Sequence, residues 1–209
     1  MQSPQPQTLQ TVAFTQMKDG TRADYELLAE QERAYAAGTA DRLLAALQDL
    51  DRGISGYKIS RLGHSLQTAT RARRDGADAD WIVTALLHDI GDALAPHNHD
   101  EMAAAILKPF VREQCTWVCA QHGDFQLVYY GQYVGADPEK RQRHRASPYF
   151  DDCVDFCERW DQASFDPAYK TDPLESFAPL LREVFARKPY DPEVLKPGER
   201  VLLTSTPSS

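Results

Sequence analysis

Apolar residues recur along this chain at three- and four-residue spacing, without the sustained alternation or Asn-Gly signal of a hairpin. The pattern predicts a nearly all-α fold. Thr21 with Asp24 forms a helix-start signal for DYELLAEQERAYAA, and Gly38 ends that helix. Thr39 caps a second helix, ADRLLAALQDL, which runs into a loop marked by Gly53 and Gly56. Ser60 caps a third helix to about residue 74, with Leu66, Ala69 and Ala72 on its apolar face and Gly76 as its breaker.

The following helix, about 78–90, has an apolar centre, IVTALL, too continuous for a surface helix and suited to the middle of a bundle. Pro96 closes the next loop, Asn98 caps HDEMAAAILK, and Pro109 separates that helix from VREQCTWVCAQH. A strongly charged run, KRQRHR, precedes Ser147-Pro148, read as the start of YFDDCVDFCERWDQA. A last helix is expected around LESFAPLLREVFA. The expected organisation is an extended or disordered lead over 1–20, one helical domain over 21–187, and an irregular tail over 188–209 that wraps the surface or is disordered.

A chain of 209 residues suffices for one full hydrophobic core. Its net charge of -8 disfavours nucleic acid as the main partner. No apolar run is long enough to span a bilayer and the N-terminus lacks an export signal, so a soluble, cytoplasmic protein is expected, with no membrane partner. The pairs Cys115/Cys119 and Cys153/Cys157 each share one helix face, and buried free thiols are expected rather than a four-thiolate zinc site. Oligomeric state is not legible.

The candidate chemistry centres on His88-Asp89, within TALLHDIGD. An aspartate after a histidine in an apolar helix needs a partner, because burying an unpaired carboxylate is very costly. A metal cation supplies one, and an aspartate can bridge two cations while the adjacent imidazole holds one. His64, His99, His122 and Asp161 lie on other predicted helices and converge only if the bundle core is the site.

His64, the pair His88-Asp89 and the distant Asp161 resemble the ligand order of the HD-domain superfamily, over about residues 56–165. The resemblance implies an HD-type helical bundle with its metal site in the core. His99 and His122 match the additional histidines of the dinuclear subset; His97 competes with His99, which is preferred because Ala103 follows it by four residues. His64, His88, Asp89 and Asp161 would then hold one metal, and Asp89, His99 and His122 the other.

Most such proteins are phosphohydrolases, but a smaller branch, which includes inositol oxygenase and the hydroxyphosphonate-cleaving oxygenases, uses the same ligands to hold a mixed-valent di-iron pair. Asp92 stands where the hydrolases commonly carry lysine and would repel phosphate unless protonated or paired. The segments LGHSLQTATRA and FCERWDQASFDP also look like sequences flanking the ligands of those oxygenases. The resemblance therefore implies two Fe ions (Fe2+/Fe3+) and O2, acting on a small hydroxyphosphonate such as 1-hydroxy-2-(trimethylammonio)ethylphosphonate. A metal-dependent phosphohydrolase and a ligand-binding module without turnover are the alternatives.

The chain departs from that branch in two places. A Tyr-x-Gly-Glu pattern is replaced by Ile54-Ser55-Gly56-Tyr57, leaving Tyr57 to supply a phenol near the open iron, and Gln126 stands where a lysine would have been an obvious phosphonate ligand. Positive charge is then sought from Arg159, with His144, Arg143 and Arg145 as looser candidates. Phe125, Tyr129, Tyr130 and Tyr133 suggest an aromatic cage for a quaternary ammonium, complemented by Asp92 or Glu158.

Overall fold

The computed structural model describes residues 10–53 and 56–204. These residues are helical, with no strand among them, as the periodicity predicts. They divide into two compact units after Thr39.

The first unit carries a short 3-10 turn, Met17–Asp19, and helix α1, Arg22–Ala37. The Thr21 side chain accepts from the Asp24 N–H while the Asp24 carboxylate accepts from the Thr21 N–H, so the capping box forms as expected. Phe14 packs its ring against Tyr25, whose hydroxyl donates to the Met17 carbonyl, and Gln31 donates to the Gln10 carbonyl. Residues 10–20 are therefore held to α1, and residues 1–9 lie outside the described chain.

The second unit begins at the second residue of α2, Thr39–Asp49, and contains α3, Arg61–Arg74; α4, Ala79–Leu87; α5, His99–Leu107; α6, Glu113–Val134; α7, Phe150–Phe156; α8, Ala178–Phe185; and the short α9, Pro192–Leu195. Helix α4 is its axis. Every residue from Asp80 to Leu87 is buried, which is why IVTALL has no polar face. Around it α3 and α8 pack directly, while α5 lies on α6 and α6 on α7.

Local chemistry sets most boundaries. Ser60 accepts from the Gly63 N–H at the start of α3, Asp78 accepts from the Trp81 N–H at the start of α4, and Gly135 ends α6 in the left-handed conformation at φ 73°. Asn98 occupies the N-cap position of α5, but its side chain makes no capping bond; the Glu101 N–H is met by Asp100 instead. Tyr149 is the N-cap of α7, with Ser147-Pro148 in the turn before it. Past Phe156 the helix widens into a π turn, Cys157–Asp161, closed by the Gln162 N–H donating to the Cys157 carbonyl. The 3.6-residue pattern gave no sign of it.

The described part of the tail, through residue 204, is held to the domain. Gln114 pairs with both backbone groups of Val201, at 3.0 and 3.1 Å, Arg200 clasps buried Asp152, and Leu203 enters the core. Cys115, Cys119, Cys153 and Cys157 are free and buried, as expected. Burial pushes the thiols of Cys115, Cys119 and Cys157 well up, so they stay protonated.

Candidate metal centre and its cleft

The structure brings His64, His88, Asp89, His99, His122 and Asp161 together in the second unit, where all but the fully buried His88 line a cleft of about 300 Å³. His64 comes from α3, His88 and Asp89 from the end of α4, His99 from the first turn of α5, His122 from the middle of α6, and Asp161 from the π turn. Helix α4 stops at Leu87, so the pair leaves the helix and its two side chains need not share a stripe.

Each inner histidine is oriented from behind. Nδ1 of His64 meets the Ser164 carbonyl at 2.9 Å, that of His88 the Ala85 carbonyl at 2.9 Å, and that of His122 the Cys119 carbonyl at 2.7 Å. A carbonyl only accepts, so each Nδ1 carries a proton, and in the neutral ring each Nε2 presents a lone pair to the centre.

Those lone pairs meet one another. His64 Nε2 and His88 Nε2 are 3.1 Å apart, and Asp161 Oδ1 lies 3.1 Å from the first and 3.5 Å from the second. Asp89 divides its carboxylate: Oδ2 faces His64 at 3.4 Å and His88 at 3.6 Å, while Oδ1 faces His122 at 3.3 Å and His99 at 3.4 Å. Converging lone pairs and carboxylates repel unless a cation lies among them, and such spacings suit ligands that share an ion at bond lengths of about 2 Å. The buried Asp161 Oδ2, which has no hydrogen-bond partner, adds a further unused donor. The donor set fits two metal ions joined through Asp89.

The electrostatics point the same way. Burial opposes charge on His64 and His122, yet bonding to Asp161 and the charges of Asp89 and Asp161 raise the His64 pKa, and His122 beside Asp89 is pushed up to about 10. Asp89 and Asp161 are held well below the usual carboxylate range, against burial, by the surrounding histidines. The centre demands positive charge. Asp92 moves the other way, raised by burial and then by the charge of Asp89, although Arg61 and His99 oppose the shift.

His99 Nδ1 lies 3.5 Å from Asp92 Oδ1, while His97 is exposed on the preceding turn, outside the cleft. Gly91 sets the position of α5: a Cβ there would stand 2.6 Å from the His99 carbonyl oxygen and 2.8 Å from its Cα. The glycine of HDIG lets α5 close on the end of α4.

The segments flanking His64 and Asp161 are laced together. The Gln67 side chain donates to the Asp166 carbonyl at 2.7 Å and accepts from its N–H, and Arg71 donates to the Ala163 carbonyl at 2.8 Å. These bonds hold Ser164 behind His64 and seat the Phe165 ring on the His64 imidazole, 4.4 Å between centroids.

Tyr57, Gln126, Tyr129 and Tyr130 line the cleft, and so do Arg61, Gln162 and Phe165, which sequence reasoning missed. The Tyr57 ring stacks on Phe165 at 4.9 Å. Asp92 is not a bare carboxylate: Arg61 Nε lies 2.8 Å from its Oδ2, removing the repulsion of phosphate expected of it alone. Arg61 could have been found, since it precedes His64 by three residues and shares its helix face.

Other candidates lie elsewhere. Arg159 is exposed and bridges to Asp75 at 3.0 Å, outside the cleft, because the π turn directs Asp161 inward and leaves Arg159 outside. His144 binds Asp124 at 2.8 Å beside Phe125, and Lys140 and Arg143 join the same carboxylate, so the basic run is a fixed turn, Lys140–His144, rather than a substrate contact. Arg145 lies over Phe150, Phe125 is core, and Tyr133 and Glu158 are exposed away from the cleft.

Residues 61–146 match the HD domain. The match supports placing this segment in the HD-domain superfamily, whose members include metal-dependent hydrolases and oxygenases. The HD-domain segment holds His64, His88, Asp89, His99 and His122, whereas Asp161 lies beyond it. No curated protein matches the chain. No helix among the described residues is long and apolar enough to cross a membrane.

Proposed function

We propose that this protein is a mixed-valent di-iron oxygenase that cleaves the carbon–phosphorus bond of a hydroxyphosphonate such as 1-hydroxy-2-(trimethylammonio)ethylphosphonate. The observation that carries the reading is the division of the Asp89 carboxylate between two histidine pairs below an aromatic-walled cleft. His64, His88 and Asp161 would hold one iron, His99 and His122 the other, with Asp89 shared. Bound iron would supply the redox change and dioxygen activation that hydrolysis does not need.

The chain's own residues then bind and orient the substrate. The faces of Tyr57, Tyr129, Tyr130 and Phe165 suit the trimethylammonio group, and the Gln126 amide suits a phosphonate oxygen. The overall change consumes one dioxygen, oxidises the hydroxylated carbon to a carboxylate and releases phosphate, with one oxygen atom entering each product. Glycine betaine is the expected carboxylate.

A preparation reconstituted anaerobically with iron should give a mixed-valent electron paramagnetic resonance signal and consume dioxygen in step with phosphate release. Phosphate release from esters without dioxygen, with Mg or Mn and no such signal, would instead establish a phosphohydrolase. Tight ligand binding without turnover under either condition would establish a binding module.

A further inference from the structure

Arg61 is the only lysine or arginine among the described residues lining the cleft. It stands at the first position of α3, one helical turn before His64. Its Nη1 lies 3.4 Å from Asp89 Oδ2, its Nε lies 2.8 Å from Asp92 Oδ2, and its guanidinium carbon lies 5.2 Å from the centre of the Tyr57 ring. The side chain remains 21% exposed, toward the cleft.

These contacts hold the head without exhausting it. Asp92 Oδ2 has no aligned hydrogen bond, so its closeness to Nε is a Coulombic contact rather than a directed one. The Asp89 contact is long, and the guanidinium carbon lies over the Tyr57 ring, a contact that uses no directed hydrogen bond. A planar fork steadied in this way keeps N–H groups for a tetrahedral oxyanion beside the bridging carboxylate. Gln126, one turn beyond His122 on α6, adds amide hydrogens from another wall of the same cleft.

We propose that Arg61, tethered by Asp92, is the anchor for the anionic head group of the substrate and selects a phosphonate or phosphate oxyanion at this site. The inference rests on reading the cleft as a metal-dependent site for a phosphonate. It places the anchoring charge on α3 instead of on Arg159 or the basic turn.

The test is titration calorimetry of inorganic phosphate into protein loaded with Zn2+, a redox-inert ion that suits these donors. Wild-type protein should bind phosphate; Arg61→Gln should bind it roughly tenfold more weakly or worse while retaining both metals, and Arg61→Lys should fall between. Phosphate binding unchanged in Arg61→Gln, or none in the wild type, overturns the anchor. If Arg61→Gln loses metal, Arg61→Lys decides: weakened phosphate binding with both metals retained supports the proposal, and metal loss there too makes Arg61 a support of the centre instead. Because phosphate binding to the zinc form needs no redox step, Arg61-dependent binding without oxygen uptake by the iron form would overturn the oxygenase alone. Oxygen uptake with Arg61-independent binding would overturn the anchor alone.

Discussion

Gly91 and His99 meet backbone to Cβ position, with 2.6 Å between the His99 carbonyl oxygen and the point where a side chain at 91 would begin. Backbone on both sides leaves nothing flexible to yield. Gly91→Ala should therefore move the first turn of α5, destabilise the protein by about 1–3 kcal/mol and impair the metal position next to His99. Thermal unfolding together with metal analysis checks this; an alanine variant with wild-type melting temperature and two metals would remove the packing argument.

The contrast between His99 and His97 gives a cleaner test of ligation. His99 faces Asp89 while His97 is exposed, so His99→Ala should lower the metal content from two ions to one and His97→Ala should leave it at two. Equal loss from both variants would contradict the arrangement.

Gln67 acts at a distance, through the loop that holds Ser164 behind His64. Gln67→Ala removes both bonds to Asp166 and should cost about 1–3 kcal/mol. Because the ring of His64 is then less firmly aimed, metal affinity should fall as well, by roughly 10–100-fold. Competition with a chelator of known affinity measures it, and unaltered affinity would show that Ser164 is held without the clamp.

The Asp124 cluster gives a pH dependence separate from the metal centre. Burial favours protonation of Asp124, but Lys140, His144 and Arg143 outweigh it and lower the pKa below its ordinary value of 3.8. A depressed carboxylate contributes stability that is present above the ordinary value and lost as pH falls through the folded one. Asp124→Asn should thus melt below the wild type at neutral pH, and the gap should narrow below about pH 4. A gap that stays constant into acid would assign the loss to packing rather than charge.

Much of the bundle was legible because its boundaries are local. Thr21, Gly38 and Ser60 announce helix ends through chemistry confined to a few neighbours. The need for a partner was legible in the buried His-Asp pair itself, and the resemblance to the HD-domain superfamily singled out His64, His99, His122 and Asp161 as the groups that meet it. What escaped depends on long-range closure. Arg61 reads as an ordinary helix-start residue until Asp92 arrives from the turn after α4, and Arg159 reads as a cleft residue until the π turn is counted. His144 reads as a looser candidate for positive charge until its partner, Asp124, 20 residues earlier, is placed beside it.

The π turn makes the sixth donor a matter of counting. In an α-helix successive residues step by about 100°, so absorbing one extra residue rotates all that follows by roughly that angle. Asp161 faces His64 and His88 from inside that widened turn. Shortening the segment by one residue would leave every donor in the chain and still turn the last one away. Part of the centre is thus written in the spacing of the chain, where a comparison of residue identities alone would not find it.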